Sequence, residues 1–511
     1  MILGIDFGTS NSCCSYFDGK NVKVITNEYG NEIYPTCIAF NKYSDEILYG
    51  NSAYDLSLSK DVTVIKNIKG YIGSLSDVTD IEETEIEIMY NNSLKKFTIN
   101  EIVVLYLNYL KNISENFTNE IVEDIVITVP VYFSNIQRNR LKTCCELANL
   151  NVIRIINEPT SAILAYCWQS LNKCLETRNI LVVDCGGGTT DYSIINADFE
   201  DNLFEVLSSY GDNDLGGNDL TDNLYNYVLD EIYKKYEKYP NKLKTSKIWK
   251  LCDNVKKRLS FNERDILFVE NVVDSQDFSM VISRSKFYYI NKNFFDKIKR
   301  DIIKVTENKT IDEIILVGGT TRAPIFVDIC KEIFRENIKI NNKIKGDTIV
   351  GIGAGIQGFL LSDIKKSDDQ DLVLMDITPM SLGIKTDDNR MSIIISKNTP
   401  IPVSRSQIFT NSESNDTLIV QIYQGDNQYV KDNIFLEELK LNCNRIDRGN
   451  MRIAVTFTIN VDGILNVSVR DILSEENEKN LVVKEYKNDI LEDTIRLNLD
   501  FLDIGTLETN Y

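Results

Sequence analysis

The chain of 511 residues contains no histidine. This absence excludes Ser-His-Asp and Cys-His catalysis, and it excludes every metal site that uses a histidine ligand. Any general acid or base in this protein must therefore be an aspartate, a glutamate, a lysine or a tyrosine.

The chain also lacks an excess of positive charge, because its formal net charge is −20. Proteins whose main activity is to bind a nucleic-acid backbone use clustered lysine and arginine, so we expect no nucleic-acid partner. A local basic site for a nucleotide is compatible with this charge.

Long apolar runs and Cys-x-x-Cys motifs are absent too. The most apolar late stretch, residues 349–361, is too short to cross a bilayer and contains Gln357. The N-terminus shows no basic segment before an apolar run, so no secretory signal is predicted. The 11 cysteines form no Cys-x-x-Cys pair, which favours a reducing compartment and buried thiols. We therefore expect a cytoplasmic protein with no membrane partner.

The order of predicted elements indicates more than one domain. Strand and helix patterns alternate through residues 121–168, 180–260 and 311–326, which is typical of an α/β fold. The N-terminus and residue 180 each begin an apolar strand, an aspartate and a glycine turn, so we infer an internal duplication; a chance match is the alternative. After residue 361, short strands predict an all-β module, and residues 488–511 could form one short helix.

Three glycine-rich turns, at residues 8–10, 186–189 and 318–320, each follow an apolar strand. Because glycine has no Cβ, such turns can present backbone N–H groups to a phosphate. None of the three has the P-loop or Rossmann spacing. Together they predict a phosphate site, although an ordinary hairpin is the alternative for any one of them.

Asp6 and Asp184 stand at matching places before two of these turns. Carboxylates beside a polyphosphate repel it unless a cation lies between them, and Mg²⁺ prefers oxygen ligands. The pair therefore favours a metal site, whereas either aspartate alone would be interpreted as a turn cap. On spacing alone, Lys66 would be a solvated surface charge and Glu158 a residue of a first helical turn.

Eight motifs together resemble the DnaK-type, seventy-kilodalton heat shock protein chaperones, the heat shock protein 70 family. They are GIDFGTSNSC, ITVPVYF, NVIRIINEPTSA, VVDCGGGTTDYSI, LGGNDL, ILVGGTTRAP, DLVLMDITPMSLGI and GILNVSVRD, in the family's order. The resemblance implies an α/β actin-like ATPase of two ribonuclease-H-like lobes, followed by a linker and an all-β sandwich domain that binds peptides.

The resemblance also implies a site for ATP or ADP with Mg²⁺, and K⁺ is a further candidate ion. The implied phosphate turns comprise Gly8, Thr9, Ser10 and Asn11, and Gly187, Gly188 and Thr189. Asp6 and Asp184 are implied to hold Mg²⁺ through water. The implied catalytic residues are Lys66, Glu158, Asp184, Thr189 and Asp191. The implied nucleoside contacts are Gly217, Asp253, Lys256, Lys257, Ser260, Gly319, Thr320, Thr321, Arg322 and Asp347.

Domain boundaries follow from the same resemblance. Residues 1–365 are expected to form the ATPase domain, 366–377 the linker, 378–485 the peptide-binding domain, and 486–511 a short tail or helix in place of most of the family's lid. The implied linker contacts are Asp371, Leu372, Val373, Leu374, Met375 and Asp376, and an edge strand is the alternative. The implied groove residues are Ile384, Thr386, Phe409, Leu418 and Val420, which could instead be plain core.

The implied partners are unfolded client polypeptides, a J-domain co-chaperone that contacts Arg154 and Asn157, and a nucleotide exchange factor. The expected function is an ATP-dependent chaperone whose ATP hydrolysis controls the binding of extended hydrophobic peptides. One alternative is a regulatory family member that binds ATP with little turnover. Another is an actin-fold small-molecule kinase, which the β-rich residues 378–475 argue against.

Overall fold

The computed structural model describes residues 1–73, 85–170, 176–334, 338–342, 344–362, 372–411, 417–442, 449, 451–472 and 478–482. Asp371 and the expected tail at 486–511 lie outside these residues. The first strands are β1 (Ile2–Asp6), β2 (Asn11–Phe17), β3 (Val22–Val24), β4 (Tyr34–Pro35), β5 (Cys37–Asn41), β6 (Ile47–Tyr49), β7 (Val62–Lys66), β8 (Glu85–Tyr90), β9 (Ser93–Thr98), β10 (Asp124–Val129), β11 (Asn151–Asn157), β12 (Arg178–Cys185), β13 (Thr190–Asp198) and β14 (Leu203–Asp212).

The later strands are β15 (Arg264–Val273), β16 (Gln276–Ser283), β17 (Glu313–Val317), β18 (Lys339–Asn341), β19 (Val373–Ile377), β20 (Leu382–Lys385), β21 (Met391–Ile395), β22 (Pro400–Ile401), β23 (Val403–Phe409), β24 (Thr417–Gln424), β25 (Ile434–Asn442), β26 (Ile453–Ile459), β27 (Leu465–Asp471) and β28 (Glu478–Val482). The helices are α1 (Gly50–Asp55), α2 (Ile68–Gly73), α3 (Ile99–Thr118), α4 (Asn135–Leu147), α5 (Glu158–Ser170), α6 (Gly217–Tyr236), α7 (Lys242–Leu259), α8 (Arg284–Ile290), α9 (Lys292–Val305), α10 (Ile325–Phe334) and α11 (Ile349–Leu361).

Local sequence signals account for the helix starts near the predicted site. The Ser134 side chain accepts a hydrogen bond from the Gln137 backbone N–H, and the Gln137 side chain accepts one from the Ser134 N–H. This reciprocal cap explains why α4 begins at Asn135. α5 begins directly after β11, and Pro159 occupies its first turn, where a missing backbone N–H costs no helical hydrogen bond.

Two mixed sheets repeat one strand order. In the first sheet the order is β11-β10-β1-β2-β3, with β4 paired to β2, and in the second it is β18-β17-β12-β13-β14 followed by β19 and β22. The three strands at one end are parallel in both sheets, and the next two are antiparallel. This repetition confirms the internal duplication.

Helices α5 and α11 share one apolar core with both sheets. α11 is the stretch of residues 349–361, and its buried glycines let neighbouring backbones approach it. A Cβ on Gly353 would overlap the backbone carbonyl of Ser161 on α5. An apolar helix of this kind belongs in a protein core, and no helix among the described residues is long and apolar enough to cross a membrane.

The predicted all-β module consists of two four-stranded sheets, β21-β20-β24-β25 and β23-β26-β27-β28. Their inner faces contribute alternate side chains to one hydrophobic core, for example Ile422 on β24 and Val455 on β26. This confirms the strand-rich character predicted after residue 361.

Strand β19 connects the module to the second sheet. It pairs in parallel with β14, where Val373 lies opposite Leu203, and it pairs with β22 through Asp376 and Ile401. Residues 373–377 of the expected linker therefore form a strand that lies between β14 and the short strand β22 of the module.

Candidate active site

Two glycine turns, one from each sheet, face each other. Residues 7–10 join β1 to β2, and residues 186–189 join β12 to β13. A Cβ on Gly187 would overlap the Ser10 side chain, and a Cβ on Gly188 would lie 2.7 Å from Thr9 Cγ2. Glycine is therefore required for the turns to approach this closely, and the structure brings together the two turns that the sequence paired.

The third glycine turn, residues 318–320, contacts the second turn, residues 186–189. Gly318 has a φ of +82°, and a Cβ there would lie 2.7 Å from Asp184 Oδ1. The Thr320 hydroxyl donates to the Gly186 carbonyl oxygen at 2.8 Å. Thr321 is buried and donates to the Gly318 carbonyl oxygen at 2.8 Å, so it stabilises this turn.

Four carboxyl groups and one amine lie close together near the facing turns, and all of these residues except the partly buried Asp6 are buried. The carboxyl groups belong to Asp6, Glu158, Asp184 and Asp191, and the amine is Lys69 Nζ, which donates to Glu158 Oε1. Asp191 lies opposite Asp184 in the β12–β13 pair, and its Oδ1 accepts from the Val131 N–H at 3.2 Å. We call these five residues the acidic cluster.

Burial and mutual repulsion shape the charge of the acidic cluster. The pKa of Asp6 is raised to about 7, first by burial and then by the Glu158 charge. The same two causes raise the pKa values of Asp184 and Asp191 well above the ordinary range. Within the part of the chain that the structure describes, Asp191 Oδ2 is buried without a hydrogen-bond partner. An excess of carboxylates and an orphaned oxygen fit a hydrated divalent cation.

Lys66 does not belong to the acidic cluster, which corrects the sequence-based assignment. Its Nζ lies 5.0 Å from the ring centroid of Tyr54 and 5.9 Å from that of Trp249, and burial lowers its pKa. The chain turns at Asn67, which has a φ of +57°, and α2 then carries Lys69 to Glu158. The lysine in the cluster is thus three residues further along the chain.

A cavity of about 1070 Å³ opens beside the facing turns. This volume is sufficient for a nucleotide, since ligand pockets of about 300–1,000 Å³ are typical. The predicted site residues that line it are Thr9, Ser10, Asn11, Lys66, Gly187, Gly217, Asp253, Lys256, Lys257, Ser260, Gly319, Thr320, Arg322 and Asp347. The structure therefore brings together both the phosphate residues and the nucleoside residues of the sequence analysis.

Ion pairs fix the charged side chains of this cavity. Lys256 Nζ and Lys257 Nζ lie 2.8 and 2.7 Å from the two oxygens of Asp253. Burial alone would raise the pKa of Asp253, but the two ammonium groups hold it below its ordinary value. Arg322 forms an ion pair with Asp347. The wall thus offers three oriented cations held by two carboxylates.

Arg154 and Asn157 contact the β-rich module and its connecting strand. Arg154 Nε lies 3.7 Å from Asp462 Oδ1, and Asn157 Nδ2 donates to Asp376 Oδ2 at 2.8 Å. The Asn157 side-chain oxygen accepts from Arg138 at 2.6 Å. Both residues expected at a J-domain surface therefore lie, in this structure, at an interface within the chain.

Four of the implied groove residues lie on strands β20, β23 and β24 of the module, and Thr386 follows β20. Ile384 and Val420 are buried in its core, and Phe409 and Leu418 pack against that core. The Thr386 hydroxyl donates to Asp388 Oδ1 at 2.6 Å in the turn after β20. The implied linker residues Leu372 and Leu374 pack on the core around α5 and α11.

Sequence reasoning missed several residues of this region. Lys69 could have been found, because the same VIKNIKG segment contains it as a second lysine. It lies beyond strand β7, after the turn at Asn67. Arg138 could not, since nothing in its local sequence distinguishes it from a surface arginine and only tertiary contacts bury its guanidinium. Trp249 and Phe261 also line the cavity without any sequence signal.

Comparisons with known proteins cover nearly the whole chain. The family model described as Hsp70 protein matches residues 2–499. The chain is 32% identical over 503 residues to heat shock cognate 70 kDa protein 3 of Dictyostelium discoideum, covering 93% of this chain and 79% of the relative. It is also 32% identical over 492 residues to a heat shock 70 kDa protein of Neurospora crassa, covering 91% and 75% of the two chains.

Proposed function

Because the chain belongs to the Hsp70 family, and is on that ground an ATP-dependent chaperone with ATPase activity, we propose that its facing glycine turns and acidic cluster bind and hydrolyse Mg·ATP. The observation that carries this assignment is the meeting of two phosphate-type turns over buried carboxylates and one buried lysine.

The proposed architecture is an actin-like ATPase of two ribonuclease-H-like lobes, residues 1–365, with a β-sandwich peptide-binding domain, residues 378–485. The repeated strand order of the two mixed sheets supports the two lobes, and the shared core of the two four-stranded sheets supports the sandwich. Residues 366–377 are the proposed linker, and 486–511 the proposed tail.

The triphosphate is proposed to lie between the facing turns. Backbone N–H groups at glycine turns bind phosphate oxygens closely. The proposed contacts are Gly8, Thr9, Ser10, Asn11, Gly187, Gly188 and Thr189. Asp6 and Asp184 would hold Mg²⁺ through water, and bound Mg²⁺ neutralises charge that develops on the phosphates. K⁺ is a second proposed ion.

Lys69, in place of Lys66, is proposed to stabilise the transferring phosphoryl group. A buried ammonium group aimed at developing negative charge lowers a barrier more effectively than a solvated one. Glu158 orients Lys69 through their ion pair, and Asp191, with its orphaned Oδ2, is placed to orient the attacking water. Thr189 is proposed as a further contact of the phosphoryl group.

The nucleoside is proposed to extend along the cavity away from the turns. The proposed contacts there are Gly217, Asp253, Lys256, Lys257, Ser260, Gly319, Thr320, Arg322 and Asp347. Thr321 is proposed to stabilise the third glycine turn, to which Gly319 and Thr320 belong. Asp253 has carboxylate oxygens suited to accept from ribose hydroxyl groups, and its two lysine partners keep it ionised.

The β-rich module is proposed to bind extended hydrophobic segments of unfolded proteins, using Ile384, Thr386, Phe409, Leu418 and Val420. Strand β19 is proposed to couple this groove to the ATPase site. A J-domain co-chaperone is proposed to use Arg154 and Asn157 and a nucleotide exchange factor to act on the ATPase part. The buried free cysteines support a cytoplasmic location.

A single-turnover ATPase assay tests the site, using two lysine variants that differ by three positions. Lys69→Ala should lower the hydrolysis rate by about 10²–10³-fold, because it removes a buried charge at the phosphoryl group. Lys66→Ala is the matched control, and its rate should stay within about threefold of wild type, because its amine lies over Tyr54 and Trp249.

Equal rates for wild type and Lys69→Ala would contradict the proposed site. A large loss in Lys66→Ala with little loss in Lys69→Ala would return the assignment to Lys66. Nucleotide binding by all three proteins, measured by calorimetry, ensures that the compared rates refer to loaded protein.

A further inference from the structure

The lining of the nucleotide cavity includes an aromatic side chain that has no role in the site described above. Phe261 follows α7 and lines the same cavity as Lys257, Ser260 and Arg322. Its side chain is 76% exposed, the largest exposure among the large hydrophobic residues that the structure describes. A phenylalanine this exposed lacks the apolar packing that would account for it structurally.

The backbone at Phe261 is held in place. The Phe261 N–H donates to the Arg258 carbonyl oxygen at 3.0 Å, and the Asn262 N–H donates to the same oxygen at 2.9 Å. The ring is therefore presented from a fixed turn at the end of a helix. Fixed presentation lowers the entropy that is lost when a ligand contacts the side chain.

Other aromatic rings of the cavity already have partners. The Tyr54 ring has Lys66 Nζ at 5.0 Å and Lys250 Nζ at 4.4 Å. The Trp249 indole N–H donates to Asp222 Oδ1 at 2.5 Å. The Tyr288 ring packs edge-on against Phe295, with 5.4 Å between centroids. Among the aromatic side chains that line the described cavity, that of Phe261 is the most exposed to solvent.

The two cations near Phe261 are also engaged. Lys257 pairs with Asp253, and Arg322 pairs with Asp347. Lys257 shares Asp253 with Lys256, so each of these cations already has a carboxylate partner. With the triphosphate placed at the glycine turns, the nucleobase is the flat, polarisable part of the nucleotide that remains to contact the rest of the cavity wall.

We propose that Phe261 is a nucleobase-stacking residue that contributes to the affinity and the purine preference of this site. This inference rests on the proposed nucleotide function, because it requires the phosphates to lie between the facing turns. Stacking of a base on an aromatic side chain is sequence-tolerant but grows with ring area, so adenine should gain more than a pyrimidine.

Calorimetric titration with ADP and with inorganic tripolyphosphate tests the proposal. Phe261→Ala should raise the Kd for ADP about tenfold, which is a typical effect of removing one stacking ring, and leave the Kd for tripolyphosphate unchanged. Phe261→Tyr should bind ADP within about twofold of wild type, because the ring is kept. Ile266→Ala, an exposed apolar change outside the cavity, should bind both ligands as wild type does.

Two results would overturn the stacking role. One is an unchanged Kd for ADP in Phe261→Ala, and the other is an equal weakening of ADP and tripolyphosphate, which would indicate a general change of the site. Failure of the wild-type protein to bind ADP at all would instead overturn the proposed nucleotide function, so the two failures are distinguishable. A smaller preference for ADP over CDP in Phe261→Ala would support the purine preference.

Discussion

Single carboxyl groups in the acidic cluster have protonation states that depend on their neighbours. Asp6 keeps a pKa of about 7 because it is buried beside Glu158, and Lys69 with a hydrogen bond from Thr128 only partly compensates. In the unfolded chain the same aspartate ionises near pH 4. Folding therefore retains a proton that the unfolded chain loses between these pH values.

The pH dependence of stability should expose this difference. In protein freed of nucleotide and divalent cations, Asp6 lowers stability progressively as pH rises from about 4 to about 7, because the folded state must ionise a buried carboxyl group. Asp6→Asn removes that loss and keeps an oxygen for Thr128, so it should become more stabilising at higher pH, by about 2–3 kcal/mol between pH 5 and pH 8. Urea unfolding at several pH values measures the difference.

The control for this series is Asp296→Asn, an exposed aspartate on α9. Its effect on the free energy of unfolding should be small and nearly independent of pH. A pH-independent effect of Asp6→Asn would show that Asp6 does not retain its proton in the folded state.

At the scale of elements, the site depends on close approach between backbones. The facing turns, the third glycine turn and the α5–α11 contact all place glycine where a Cβ would overlap a neighbour. Intrinsic helix propensity opposes this use of glycine, since alanine is favoured over glycine in helix interiors by about 1 kcal/mol. Packing therefore decides the residue at these positions.

Gly353→Ala on α11 tests which effect dominates. Propensity alone predicts a small gain, whereas overlap with the Ser161 backbone predicts a loss of about 3 kcal/mol in the free energy of unfolding. Gly358→Ala lies on the same helix and meets the end of the Ile2 side chain at 2.7 Å. That side chain can shift, so the loss in Gly358→Ala should be smaller. Comparable stability in both variants would argue against a packing requirement at Gly353.

At the scale of the whole molecule, one strand links the β-rich module to the ATPase part. Asp376 in β19 accepts from Asn157 at 2.8 Å and from the Thr160 hydroxyl at 3.2 Å, next to the buried Arg138. Breaking a buried charged network by removing one partner is costly, because the remaining charge loses its compensation. A structural change in the ATPase part can therefore alter the β-rich module through β19, and the reverse is also expected.

Release of a fluorescent hydrophobic peptide measures this coupling. ATP should accelerate release from the wild-type protein relative to ADP, because the proposed coupling gives the groove a different affinity in each nucleotide state. Asp376→Ala should reduce that acceleration about tenfold, whereas Asp296→Ala, with the same loss of charge on an exposed helix face, should preserve it. Absence of any ATP effect in the wild-type protein would contradict coupling between the ATPase and the groove.

The sequence by itself determined the elements and the chemistry of this protein. The strand–aspartate–glycine pattern predicted both facing turns, Ser134 provides the cap at the start of α4, and the absence of histidine leaves carboxylates and lysine as the candidate catalytic groups. These properties are readable because they depend on neighbours along the chain, through backbone conformation, capping and side-chain type.

Only the tertiary structure decided which of two lysines, three residues apart, reaches Glu158. It also decided that residues 373–377 form a strand beside β14 and that Arg138 is buried. Each of these outcomes depends on groups far apart in the chain. Lys69 Nζ and Glu158 Oε1 are separated by 89 positions, and their contact is set by how two sheets and their helices pack. Burial then fixes the pKa values and the open face of Phe261, since desolvation and exposure are properties of the packed molecule.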